Sequence, residues 1–87
     1  MNAEQMRERV FAYSIALPDD IGAQRWEQVR DGKLWHGWVS TVYEHPVGTC
    51  EYGRYFDTRA EAVENARIFV EQCKAMHAKH ERAKELK

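Results

Sequence analysis

Three side chains able to bind a metal stand at i, i+4 and i+7 near the C-terminus: Cys73, His77 and His80. On a helix that spacing gathers a thiol and two imidazoles on one face, and sulfur with imidazole nitrogen is zinc-ligand chemistry. A closed zinc site needs a fourth ligand, for which Cys50 and Glu81 are the candidates. The same three positions also continue an apolar helical stripe, and a packed helix edge accounts for them without a metal. Nothing else adds up to catalysis. Ser14 and Ser40 stand in no nucleophile elbow, no glycine-rich phosphate loop precedes a helix, and His36 and His45 fall in a hairpin. The chain therefore reads as non-enzymatic and free of cofactor, which leaves surface recognition as its chemistry.

The elements that carry these residues follow from periodicity. Ala3, Met6, Val10, Tyr13 and Leu17 recur at steps of three and four, which predicts a helix over 3–17. Asn2 caps it, with Gln5 completing a capping box, and Pro18 ends it. From Gln24 the pattern becomes strand: "RWEQV" and "LWHGWVSTVY" flank Asp31-Gly32, a dipeptide suited to the positive φ angles of a tight hairpin. "EHPVGT" reads as a longer connection and "CEYGRYF" as a third strand. A second helix then starts at Thr58, or behind Asp57 as cap. Its core stripe is Ala62, Val63, Ala66, Phe69, Val70, Cys73, Met76 and His77. The expected fold is α+β, a two-layer α-β-β-β-α domain: a three-stranded antiparallel sheet with an N-terminal helix and a long C-terminal one.

At 87 residues, 44% hydrophobic and 31% charged, the chain suffices for one small domain with a single core. A net charge of −1 argues against a domain built chiefly to grip phosphate. The stretch from Arg25 to Phe56 balances Arg25, Arg30, Lys33 and Arg54 against Glu27, Asp31, Glu44 and Glu51. Two cysteines make no disulfide framework, and "MNAEQMRERV" lacks the apolar run of a signal peptide, so a cytoplasmic, non-membrane protein is expected.

Strand two holds more apolar side chains than one core needs. Alternation puts Leu34, His36, Trp38, Ser40 and Val42 on one side and Trp35, Gly37, Val39, Thr41 and Tyr43 on the other. Each side has a tryptophan, only one side can meet the helices, and the sequence leaves open which. Phe56 is expected to point inward together with Cys50, Tyr52 and Arg54, which sends Glu51 and Tyr55 outward. On the first helix Phe11 and Ile15 fall off the main stripe. Trp35, Trp38, Tyr43, Tyr55, Phe11 and Ile15 are thus the candidate partner-binding residues, since aromatic anchors dominate protein contacts.

"GRYFDTRAEAVENA" resembles the strand-to-helix junction of the plant ethylene-response-factor DNA-binding domain and of phage integrase arm-binding domains. The resemblance spans residues 25–70 and implies a sheet inserted into the major groove. Arg25, Arg30, Lys33, Trp35 and Arg54 would be the DNA-contacting positions. The order helix, three strands, helix also resembles the double-stranded-RNA-binding domain, although "DTRAEAVENAR" is acidic where that family carries a lysine cluster. In size and style the chain looks like the accessory proteins of phages and plasmids, anti-CRISPR proteins among them. The expected function is a small inhibitor or regulator that docks an aromatic sheet surface onto a protein. DNA binding through the sheet is the alternative, and a symmetric homodimer a third outcome.

Overall fold

The computed structural model describes residues 2–47 and 55–85. Helix α1 (Ala3–Ser14) leads through a single 3-10 turn at Pro18–Asp20 into strand β1 (Ile21–Arg30). Strands β2 (Lys33–Val42) and β3 (His45–Pro46) follow, and helix α2 (Arg59–Glu85) closes the chain. The sheet is antiparallel in the order β1-β2-β3. This is the α+β arrangement of two helices and a three-stranded antiparallel sheet that the periodicities predict.

Local chemistry explains the element ends. The Asn2 side chain accepts from the Gln5 N–H at 2.8 Å and the Gln5 side chain accepts from the Asn2 N–H at 3.2 Å, a reciprocal capping box. Helix α1 stops three residues short of the predicted Leu17. Leu17 is extended, as the residue before a proline tends to be, and its N–H donates to the Asp20 carboxylate at 3.0 Å. This separate turn forces the helix to end at Ser14, whose hydroxyl donates back to the Phe11 carbonyl. Thr58 caps α2: its Oγ1 accepts from the Glu61 N–H at 3.2 Å and donates to the Glu61 carboxylate at 3.0 Å.

The hairpin turn at Asp31-Gly32 forms as expected, with φ of 53° and 75°. The next turn differs from expectation. Tyr43 and Glu44 take φ of 54° and 67° and close a second two-residue hairpin, so β2 pairs at once with His45–Pro46. Neither residue advertises a left-handed turn. Tyr43 is held there from outside: its N–H donates to the Asp20 carbonyl, its hydroxyl donates to the Ala12 carbonyl at 2.8 Å, and its ring stacks on Tyr13. Among the described residues the third strand of the sheet is therefore His45–Pro46, earlier than the predicted start at Cys50. Cys50 to Arg54 of the predicted strand fall outside the described residues. Its last residue, Phe56, forms a bridge with Trp38 through two backbone hydrogen bonds of 2.9 Å.

Residues Ala16, Val42, Val47, Ala66 and Val70 make the core, with Tyr13, Ile21 and Phe69 packed around it. Helix α2 touches α1, β1 and β2 and so joins the layers. Of its predicted stripe, Ala62, Ala66, Val70 and Cys73 are buried, whereas Met76 is exposed. One polar link fixes the helix on the sheet. Fully buried Ser40 donates to the Ala62 carbonyl at 2.6 Å and accepts from the Asn65 amide at 2.8 Å. The molecule is elongated, with a radius of gyration of 15.2 Å, against about 12 Å for a compact chain of this length.

Two stability changes follow. Ser40→Ala removes both links between β2 and α2 and is expected to lower unfolding free energy by about 1–2 kcal/mol in urea denaturation. Glu44→Gly relieves a left-handed residue that is solvent-exposed, and an increase of about 1 kcal/mol is expected in the same measurement.

Candidate functional site

The register of the β1–β2 ribbon decides which side chains share a face. Trp26 lies opposite Gly37, Gln28 opposite Trp35, and Arg30 opposite Lys33, so all six stand on one face. Ile21, Ala23, Arg25, Glu27 and Val29 share the other face with Val42, Ser40, Trp38, His36 and Leu34. The second set faces the helices, because Ser40 bonds to α2 and Val42 sits in the core.

On the helix-free face the aromatic residues cluster. Trp35 is 53% exposed and Trp26 41%. Tyr55 crosses directly over Gly37, where a Cβ would come within 2.5 Å of the Tyr55 Cβ and 2.9 Å of the Phe56 carbonyl oxygen. The missing side chain at Gly37 is what lets residues 55–56 lie against β2. The Tyr55 hydroxyl donates to the Gln28 side chain at 2.9 Å, which ties it across the ribbon beside both tryptophans. The face closes toward the other end of the sheet, where Val39 and Thr41 are buried. Charge is sorted by the same parity: Arg30 and Lys33 stand on the aromatic face, and none of its β1 and β2 residues is acidic.

The predicted partner-binding residues divide among three places. Trp35 and Tyr55 come together on this face. Trp38 is on the opposite, helix-facing side, half-buried, with the Arg25 guanidinium 6.0 Å from its ring centroid. Tyr43 is engaged in the second turn. Phe11 is exposed on α1 and Ile15 at its C-cap, and Phe11 lies 5.0 Å from the His77 ring. The parity of the ribbon keeps Trp35 and Trp38 on opposite sides, as alternation along the strand predicts, and Phe11 and Ile15 belong to the N-terminal helical segment. Of the predicted DNA-contacting residues, Arg30, Lys33 and Trp35 share the aromatic face, Arg25 is on the other, and Arg54 lies outside the described residues. Trp26 and Gln28 were not foreseen as site residues. Counting outward from Asp31-Gly32 pairs them with Gly37 and Trp35, so the signal was in the turn.

The spacing of Cys73, His77 and His80 does not bring the three side chains together as a ligand set, and Cys50, the other candidate ligand, lies outside the described residues. No three His, Cys, Asp or Glu side chains among the described residues gather as a ligand set. Cys73 turns into the core, where burial pushes its thiol pKa up. His77 and His80 instead line a groove between the helices with Arg7, Glu8, Phe11 and Glu81. On the outer face of α2 the Arg67 guanidinium hydrogen-bonds Glu64 and holds its carboxyl below the usual range, a solvated pair that needs no functional reading. No described helix is long and apolar enough to cross a membrane.

The chain matches no protein-family model, no curated protein and no solved structure. The aromatic face must be interpreted on its own chemistry. Gly37→Ala is expected to force Tyr55 off the ribbon. Destabilisation of about 1–3 kcal/mol follows by urea unfolding, together with a change in tryptophan fluorescence as the clasp beside Trp26 and Trp35 opens.

Proposed function

We propose that this chain is a non-enzymatic binding protein that docks the aromatic face of its β1–β2 ribbon onto a protein, as a small inhibitor or regulator would. The observation that carries this reading is the grouping of exposed Trp26 and Trp35 beside Tyr55, with the tyrosine clasped over Gly37. Large, rigid rings lose little conformational freedom on contact and supply most of the energy of typical protein interfaces. The Tyr55–Gln28 bond preorganises one of them, which lowers the cost of binding. Arg30 and Lys33 at the tip, with no acidic β1 or β2 residue on that face, favour a partner whose surface is acidic at the margin.

The same charge sorting supports a second reading, DNA binding through this face, with Trp26 and Trp35 available to stack on bases. Two cations on this face are few for phosphate-driven affinity, and the net charge of −1 opposes it.

Immobilised protein exposed to extract of its native cell distinguishes the two. A protein partner should be retained from low to high salt and lost at least tenfold in Trp26→Ala and Trp35→Ala, with folding checked by circular dichroism. Nucleic acid in the bound fraction, released steeply by salt, would establish the second reading. A captured set that ignores both folded variants would sink the docking proposal.

A further inference from the structure

Along the outer edge of β1 the Ile21 N–H donates to the Pro18 carbonyl, and from Ala23 to Val29 the outward backbone groups make no backbone hydrogen bond to a described residue. Parity identifies those groups. A two-residue turn makes Arg30–Lys33 a hydrogen-bonded pair, so the even-numbered residues of β1 direct their N–H and C=O groups to β2. The same series continues past the strand, where the Tyr43 N–H donates to the Asp20 carbonyl at 2.9 Å. The odd-numbered residues, from Ile21 to Val29, therefore aim their backbone groups outward. A long free edge of this kind is a template for another strand.

We infer that the strand it takes is β1 of a second copy, paired antiparallel about a two-fold axis at Trp26. The sequence of β1 is complementary to itself about that residue. Arg25 falls opposite the second copy's Glu27 and Glu27 opposite its Arg25, each an outward-bonding pair. Gln24 meets Gln28, Trp26 meets Trp26, and Ala23 meets Val29. No neighbouring register matches both charges at once. Glu27 is exposed and makes no ion pair among the described residues of its own chain, so the contact costs no existing one.

A second, independent feature agrees. Val29 and Leu34 stand on the helix-facing side of the ribbon yet are 72% and 59% exposed, because α2 covers only the end near Ser40 and Val42. In the pairing about Trp26, Val29 lies beside the second copy's Ala23, at the end of the joint sheet covered by that copy's α2. Because each α2 lies over the Ser40–Val42 end of its own ribbon, this pairing sets the two helices toward opposite ends of the joint sheet. The joint sheet also sets the two aromatic faces side by side. The inference uses the strand edge and the docking proposal uses the face; Trp26 belongs to both and Trp35 to the face alone.

Analytical ultracentrifugation of the full chain over a range of concentrations tests this. A species of twice the 10.2 kDa protomer mass is expected. Glu27→Pro removes one outward N–H while leaving the bonds to β2, and should give a folded monomer. Glu27→Arg sets like charges face to face twice and should weaken the dimer at least about tenfold; the reciprocal swap, Arg25→Glu with Glu27→Arg, should restore it. Should the proline variant fail to fold, the charge series decides alone. A wild-type monomer at millimolar concentration, a dimer indifferent to Glu27→Arg, or a swap that does not restore association would overturn the inference. Trp35→Ala should leave the mass unchanged, so lost partner capture and lost dimerisation remain separable.

Discussion

Everything distinctive about this molecule depends on the register of one β-ribbon. A turn of two residues at Asp31-Gly32 leaves no slack: Arg30 must pair with Lys33, and each earlier residue of β1 then has a set partner on β2. A slip of one residue would move Trp26 and Gln28 to the helix side and bring Arg25 and Glu27 out. It would also exchange the backbone groups bound to β2 with those at the free edge. The aromatic face, the segregation of charge and the hydrogen-bonding edge are three consequences of one parity.

The helix side holds that parity in place through a polar contact rather than a greasy one. Ser40 is wholly buried, and its hydroxyl reaches the Ala62 carbonyl while accepting from Asn65. A hydroxyl buried without partners would be costly, so the arrangement discriminates sharply against a shifted helix or strand. Around it the core is built from valines and alanines, small side chains that bring α2 close to the sheet. Such a core is modest in volume, and it leaves the distal ribbon beyond the reach of α2. An isolated two-stranded ribbon is marginal in water. Here Tyr55 buttresses one side of it across Gly37, and the remaining exposed surface is where contacts with other molecules are to be sought.

Much of the architecture was legible from local chemistry. The Asn2–Gln5 box, the Asp31-Gly32 turn and the apolar stripe of α2 each depend on residues close in sequence, whose preferences survive in the folded chain. The turn at Tyr43-Glu44 was illegible for the opposite reason. Its positive φ angles are imposed by Ala12, Tyr13 and Asp20, which arrive from the N-terminal part of the chain. Likewise Cys73, His77 and His80 share a helical face by spacing. The packing of α1 and the core then assigns the thiol and the imidazoles to different surroundings.

The sequence by itself determined the element order, the hairpin register and therefore which residues travel together, because period and turn geometry act over a few residues. Tertiary structure alone decided which face of the ribbon meets the helices, since Leu34 to Val42 and Trp35 to Tyr43 are nearly balanced in apolar character. The balance was broken by Ser40, whose small hydroxyl fits against the backbone of α2. It was broken also by Gly37, whose missing side chain makes room for Tyr55 on the other side. Those are contacts between residues more than fifteen positions apart, and no local preference encodes them.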